Sequence, residues 1–260
     1  MQLSIEGKRV FAGTGGRDFD PSLPAMVFLH GAGMDHSVWA MLARAFSHHG
    51  FGVLAPDFPG HGRSTGPALS SIGALADWTA ALIDAAGIET ARVIGHSMGS
   101  LVALEMAARH PAKLATLGLI ATAAPMRVSD DLLGAAKANE HAAIDMISIW
   151  GYGHRAVLGG CESPGMWMLG GALRLLERAP AGVLFADLTA CDDYKDALSA
   201  AAKVTVPAAV ILGGRDMMTP LKTGKPVAGA IQNCRLTVFD TAGHMLVSER
   251  PNEVLRALRE

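Results

Sequence analysis

Apolar and polar positions alternate over residues 2–12, which predicts an antiparallel strand, and the glycines of GTGGRD close it with a turn. Next come short runs that are apolar throughout. AMVFLH (25–30) and GVLAP (52–56) predict strands buried on both faces, separated by a helix over 37–49 that Gly50 ends. Helical spacing of Ile72, Leu75, Leu82 and Ile83 predicts a helix over 71–86. ARVIGH then reads as a strand, 98–109 as a helix stopped by Pro111, and 114–121 as a further buried strand. After Pro125 this rhythm stops. Residues 126–200 hold helix formers, aromatics and glycine pairs at 159–160 and 170–171, without strand-like runs. From 207 the rhythm returns: strand PAAVILGG, helix 220–231, strand RLTVFD and a closing helix 251–259. Strands alternating with helices predict an α/β fold, a mostly parallel sheet covered on both faces. The predicted core is 1–125 with 201–260, and 126–200 is a helical cap inserted into it.

Composition narrows the classes. Half of the 260 residues are apolar, enough for a sizeable core, and the net charge of −2 leaves no basic excess for a nucleic-acid partner. Cys161, Cys191 and Cys234 are few, odd in number and far apart, so a disulfide framework is not expected and a reducing compartment is. The start, MQLSIEGKRVF, has no leader-like pattern, and LATLGLIATAAPM is too short to span a bilayer. The expectation is a soluble cytoplasmic protein with a small-molecule substrate and no membrane or nucleic-acid partner.

The chemistry is carried by VIGHSMGS, residues 93–100, in which Gly95 and Gly99 flank Ser97. The segment falls where a strand becomes a helix. There a serine can sit on a tight turn with strained backbone angles, provided no Cβ crowds it from two residues either side. A serine hydroxyl needs a base, and the base a carboxylate to steady it. His244, in DTAGHM, follows the strand RLTVFD; Asp216, in ILGGRDMMTP, also follows a strand. In a parallel sheet both loops open on the edge that carries Ser97. The other histidines have weaker positions. His96 points away from the turn, His30 and His61 lie on nearby loops, and His48, His49 and His110 sit at helix ends. His141 and His154 fall in the cap. Among rival acids, Asp57 is expected to order DFPGHGRS, and Asp240 stands only four residues before His244. The oxyanion formed on attack needs two backbone N–H donors. Met98, next after the serine, supplies one; the loop LHGAGM supplies the other, from Ala32 or, failing that, Gly33.

LHGAGMDHSVW, DFPGHGRS, GHSMG, PAAVILGGRDMMTP and AGHM, in this order, resemble the α/β-hydrolase-fold serine hydrolases, across the whole chain apart from the middle segment. The resemblance implies a sheet of about eight strands with a helical cap after the sixth. It also implies a triad of Ser97, Asp216 and His244, with donors at Ala32 and Met98. Serine at the nucleophile position disfavours the dehalogenase and epoxide hydrolase activities of this fold, which use aspartate.

No cofactor is expected: GTGGRD and GAGMDH lack the last glycine of a dinucleotide loop, and no phosphate loop or metal-ligand spacing is present. Trp150, Tyr152, Met166, Trp167, Met168 and Phe185 give the cap the adaptable apolar side chains of a lid. Trp150, Met166, Trp167 and Met168 are the candidate substrate contacts. The expected activity is hydrolysis of an ester or related acyl bond of a small apolar substrate through an acyl-enzyme. The same triad would also serve a carbon–carbon bond hydrolase, a perhydrolase, an aminopeptidase, an acyltransferase or a ligand receptor with slow turnover.

Overall fold

A computed structural model describes residues 1–160 and 165–259. Cys161 lies outside the described residues. The strands are β1 Gln2–Ile5, β2 Lys8–Gly13, β3 Ala25–Leu29, β4 Gly52–Pro56, β5 Ala91–His96, β6 Leu114–Ile120, β7 Ala208–Gly213 and β8 Cys234–Phe239. They form one eight-stranded sheet in the order β1-β2-β4-β3-β5-β6-β7-β8. β3 to β8 are parallel, and β1 and β2 are antiparallel additions at one edge. The single strand predicted over 2–12 is in fact a hairpin. Glu6 and Gly7 both take positive φ, 50° and 74°, the turn geometry that lets two twisted strands reverse in two residues.

The helices are α1 Ala40–Ser47, α2 Ile72–Ala85, α3 Met98–Arg109, α4 Asp130–Lys137, α5 His141–Trp150, α6 His154–Val157, α7 Met168–Leu176, α8 Val183–Asp193, α9 Ala197–Ala201, α10 Leu221–Ala230, α11 Leu246–Glu249 and α12 Pro251–Arg259. Neighbouring strand residues face opposite sides. Val27, Leu29, Val93 and Leu119 pack with α2, α3, α9 and α10, whereas Met26, Phe28, Ile94 and Ile120 pack with α1, α11 and α12. With both faces covered, the central strands read as unbroken apolar runs.

Between β6 and β7 the described chain is helical, α4 to α9. Ser129 starts α4 by accepting a hydrogen bond from Leu132 N, 3.3 Å, with Asp130 and Asp131 in the positive first turn. The earlier helices have their own core, in which Leu132, Ala143, Ile147, Met168 and Leu176 are buried together. Cys191 in α8 and Ala197, Ala200 and Ala201 in α9 are buried instead with the sheet-side core. The insertion therefore rejoins the sheet layer before residue 200.

Candidate active site

Strands β3, β5, β7 and β8 run the same way, so the loops that follow them open on one edge of the sheet. After β3 the chain adds β4 on one side and then β5 on the other, so the strand order reverses between β3 and β5, the place where open parallel sheets leave a crevice. A cavity of about 180 Å³ lies there, lined by Ala32, Ser97, Thr219 and His244 from these loops.

Ser97 joins β5 to α3 with φ 53° and ψ −120°, a conformation L-residues rarely hold. The flanking glycines make it possible. A Cβ on Gly95 would lie 1.9 Å from the Gly99 carbonyl oxygen, and one on Gly99 would lie 2.2 Å from that of Leu29. The turn is fixed by hydrogen bonds from Ser97 N to Ile120 O, 2.9 Å, and from Ser100 Oγ to Ser97 O, 2.6 Å.

Asp216 and His244 are buried, and His244 Nδ1 donates to Asp216 Oδ2 at 2.9 Å. Thr219 Oγ1 donates to the same oxygen at 2.6 Å and lies 3.0 Å from His244 Nδ1. Asp216 Oδ1 accepts from Met218 N and Thr219 N, at 2.8 and 2.7 Å. Burial raises the Asp216 pKa, but the His244 charge and the bonds from His244 and Thr219 outweigh it and bring the pKa down to about 2. The carboxylate is therefore ionised and holds the imidazole with its proton on Nδ1, leaving Nε2 as the basic nitrogen. His96 donates from Nε2 to the His244 carbonyl, 3.0 Å, and so steadies the backbone of that residue. His96 Nδ1 is buried without a partner among the described residues, and burial, with the neighbouring His244, pushes this ring's pKa down to about 3.

The N–H groups of Ala32 and Met98 have no hydrogen-bond partner among the described residues, and Met98 opens α3, where backbone N–H groups are free. Gly33 N–H is already taken by Asp187 Oδ2, 2.8 Å. Asp57 orders its loop, accepting from His36 N and Arg63 N at 2.7 and 2.8 Å. With Asp35 and His36 it forms the one cluster of metal-ligand type among the described residues. Asp35 Oδ1 caps Ser37 N and its Oδ2 pairs with Arg178, so these oxygens are committed, and none of the three residues lines the cavity.

Of the four cap side chains expected against the substrate, Trp150 lines the cavity and Met166, Trp167 and Met168 do not. They line a separate groove with Val38, Met41 and Leu175. The cause is the register of α7, which turns Met168 into the cap's own core. Trp167 stays 73% exposed, its ring folded over the first turn of its own helix where Gly170 carries no side chain. Tyr152 is buried in the same core and donates to Met168 O, 3.2 Å. The cavity walls are instead Met126, Val128, Leu132, Ile147, Leu188 and Cys191 from the insertion, and Met34, Met217 and Met218 from the sheet loops. Burial pushes the Cys191 thiol up, so it stays neutral. Thr219 and Asp187 also went unrecognised in the sequence. The available signals were a hydroxyl three residues after Asp216 and one charge inside the apolar run VLFADLTAC.

Residues 26–257 match the alpha/beta hydrolase family. The chain belongs to it. Among the relatives of this α/β hydrolase is a pimeloyl-[acyl-carrier protein] methyl ester esterase from Chromobacterium violaceum, 32% identical over 91% of this chain and 93% of the relative. Among solved structures, a thermophilic esterase is 28% identical with a TM-score of 0.79, covering 100% of this chain and 95% of the other. The enol-lactonase from Burkholderia xenovorans LB400 shares the fold at 24% identity and a TM-score of 0.87, over 100% of this chain and 98% of that one. This α/β hydrolase is an ester-cleaving enzyme. No helix among the described residues is long and apolar enough to cross a membrane.

Proposed function

We propose that the enzyme hydrolyses small carboxylic esters with a compact apolar acyl group, using Ser97 as nucleophile, His244 as base and Asp216 as its orienting carboxylate. The observation that carries this is the Asp216–His244–Thr219 network facing the cavity that Ser97 enters on its strained turn. Ser97 Oγ attacks the ester carbon while His244 Nε2 takes its proton, and the N–H groups of Ala32 and Met98 receive the oxyanion. The proton then goes to the departing alcohol. Water, activated by the same histidine, releases the acid and restores the serine. The helices inserted within residues 126–200 act as a cap that encloses the acyl group and thins the water around the charge.

Beyond Ser97 and His244, eleven apolar or thiol residues against Arg127, Ser129 and Thr219 favour an ester over a carbon–carbon hydrolase substrate, whose dienol or diketone needs more polar partners. The C. violaceum relative is named for a methyl ester on an acyl-carrier protein. A small alcohol group is in keeping with that name. In residues 126–200 acidic side chains outnumber basic ones, which favours a free ester over one delivered by an acidic carrier. The free Cys191 thiol in the cavity wall suits a reducing compartment, the cytoplasm.

A fluorophosphonate probe labels Ser97 alone, and Ser97→Ala abolishes labelling and lowers steady turnover of p-nitrophenyl butyrate by at least about 10⁴-fold. A single burst without steady turnover in the unaltered enzyme, or labelling at another serine, overturns the assignment.

A further inference from the structure

Asp187 is fully buried on α8, the helix that leads from the cap back to the sheet layer, and its side chain crosses to the loop after β3. Its Oδ2 accepts from Gly33 N at 2.8 Å and from His61 Nε2 at 2.8 Å. His61 Nδ1 lies 3.0 Å from the Pro59 carbonyl. A carboxylate and a carbonyl can only accept, so both ring nitrogens of His61 carry protons and the ring is a buried cation. Burial works against this charge, but the hydrogen bond and charge of Asp187 prevail and raise the His61 pKa. Asp187 Oδ1 is buried with no partner among the described residues. A buried ion pair with an unpaired oxygen is a poor stabiliser, and apolar side chains of similar volume commonly do as well or better. What the pair does provide is geometry.

The geometry concerns two successive peptide units of the loop. The Gly31 carbonyl accepts from His30 Nδ1, 2.9 Å, and from Met34 N, 3.2 Å, which fixes the plane whose other end is the Ala32 N–H. His30 Nε2 accepts from Phe58 N, 3.1 Å, so that ring is neutral and cannot turn over. The next plane ends in the Gly33 N–H, held by Asp187. Gly33 has φ +66°, and a Cβ there would meet Leu184 Cδ1 at 2.9 Å. Leu184 and Asp187 stand one turn apart on the same face of α8 and grip the loop together.

We propose that Asp187, supported by His61, is a positioning residue of the oxyanion hole: it anchors the Gly33 peptide to α8, so that the Ala32 N–H is aimed at the reacting carbonyl only while this helix is docked. The inference rests on the reading of Ala32 as an oxyanion donor. Its signature is a loss of transition-state stabilisation without a comparable loss of substrate binding.

The test uses the full chain, p-nitrophenyl butyrate, an alkyl trifluoromethyl ketone as tetrahedral mimic, and butyrate as a flat product ligand. In Asp187→Leu and Asp187→Ala, kcat falls roughly 30- to 300-fold, a little short of losing a donor outright, with KM within about threefold. The ketone weakens by the same factor while butyrate inhibition holds. Asp187→Asn, which keeps an acceptor for Gly33 N–H, recovers most of the lost kcat. A folded Leu or Ala variant with unchanged kcat and ketone affinity overturns the proposal, and so does failure of both variants to fold, which would make the pair structural. Fluorophosphonate labelling of Ser97 in the unaltered enzyme separates the two readings. If Ser97 is labelled and Asp187→Leu keeps full kcat, only the positioning role fails; if Ser97 is not labelled, the functional assignment fails first.

Discussion

On the sheet side of the cavity, Asp216 accepts from Met218 N, Thr219 N, Thr219 Oγ1 and His244 Nδ1, and Ser97 sits on a turn that tolerates no Cβ at either flanking glycine. On the helical side, Met126, Val128, Leu132, Ile147 and Leu188 offer apolar surface, interrupted only by Arg127 and Ser129 among the lining residues of that segment. Hydrogen bonds have direction and short range, so the first wall accepts few substitutions at few positions. Apolar contact has neither, and the second wall is specified mainly by volume. In the proposed reaction the first wall does the chemistry and the second chooses what reaches it.

After Ser97 itself, the contrast predicts its largest effect at Asp216. Asp216→Asn lowers kcat by roughly 10³- to 10⁴-fold in a folded protein. The amide oxygen stays with Met218 N and Thr219 N, so the amide NH₂ faces His244 Nδ1 and drives the ring proton to Nε2, where it blocks proton transfer from Ser97. Near-normal kcat in this variant would mean that another group orients His244. Asp240→Asn, by comparison, leaves kcat unchanged.

The helical wall gives smaller, graded effects. Leu132→Ala and Ile147→Ala enlarge the cavity and move the preferred p-nitrophenyl ester to longer acyl chains, by at most about fourfold in kcat/KM per methylene, the equivalent of about 0.8 kcal/mol. Trp167→Ala leaves the chain-length profile unchanged, because its ring covers its own helix. A shift with Trp167→Ala and none with Leu132→Ala would exchange the two surfaces' roles.

The smallest effect is a titration of stability through the buried histidines behind the cavity. Burial holds His30 at about 4 and His96 at about 3, below the 6.5 of an exposed histidine. The unfolded chain therefore binds protons that the folded one does not, and stability falls as pH drops below 6.5, by up to about 1.4 kcal/mol per pH unit for each histidine. His61 has the opposite sign. Its pKa is raised, so its contribution is complete below 6.5 and is lost as pH rises through the folded value. Melting curves from pH 4 to 8 show Tm falling on the acid side. A Tm flat down to pH 4.5 would mean that His30 and His96 are not buried neutral.

The elements that survive the passage from sequence to structure are those whose signal is local. The apolar runs of β3 to β7 and the glycines beside Ser97 identify themselves, because burial on both faces and a strained turn each leave a mark within a few residues. Asp216 and His244 could be placed because each follows a strand, and parallel strands send such loops to one edge. The hairpin over residues 2–13 was misread as one strand because its turn takes only Glu6 and Gly7, too short to interrupt the alternation.

The chain by itself determined the layered α/β sheet and the placing of Ser97, Asp216 and His244 on loops at one sheet edge, since periodicity, glycine placement and loop order are properties of the sequence. Tertiary structure alone decided which apolar side chains line the cavity, because Met168 and Leu132 look alike along the chain, and only the packing of α7 and α4 turns one into the core of the inserted helices and the other toward the Ser97 cavity as well. It also decided what Asp187 is for. A lone charge in an apolar helix signals only that a partner exists; His61 and Gly33, 126 and 154 residues away, become that partner when α8 docks on the loop after β3.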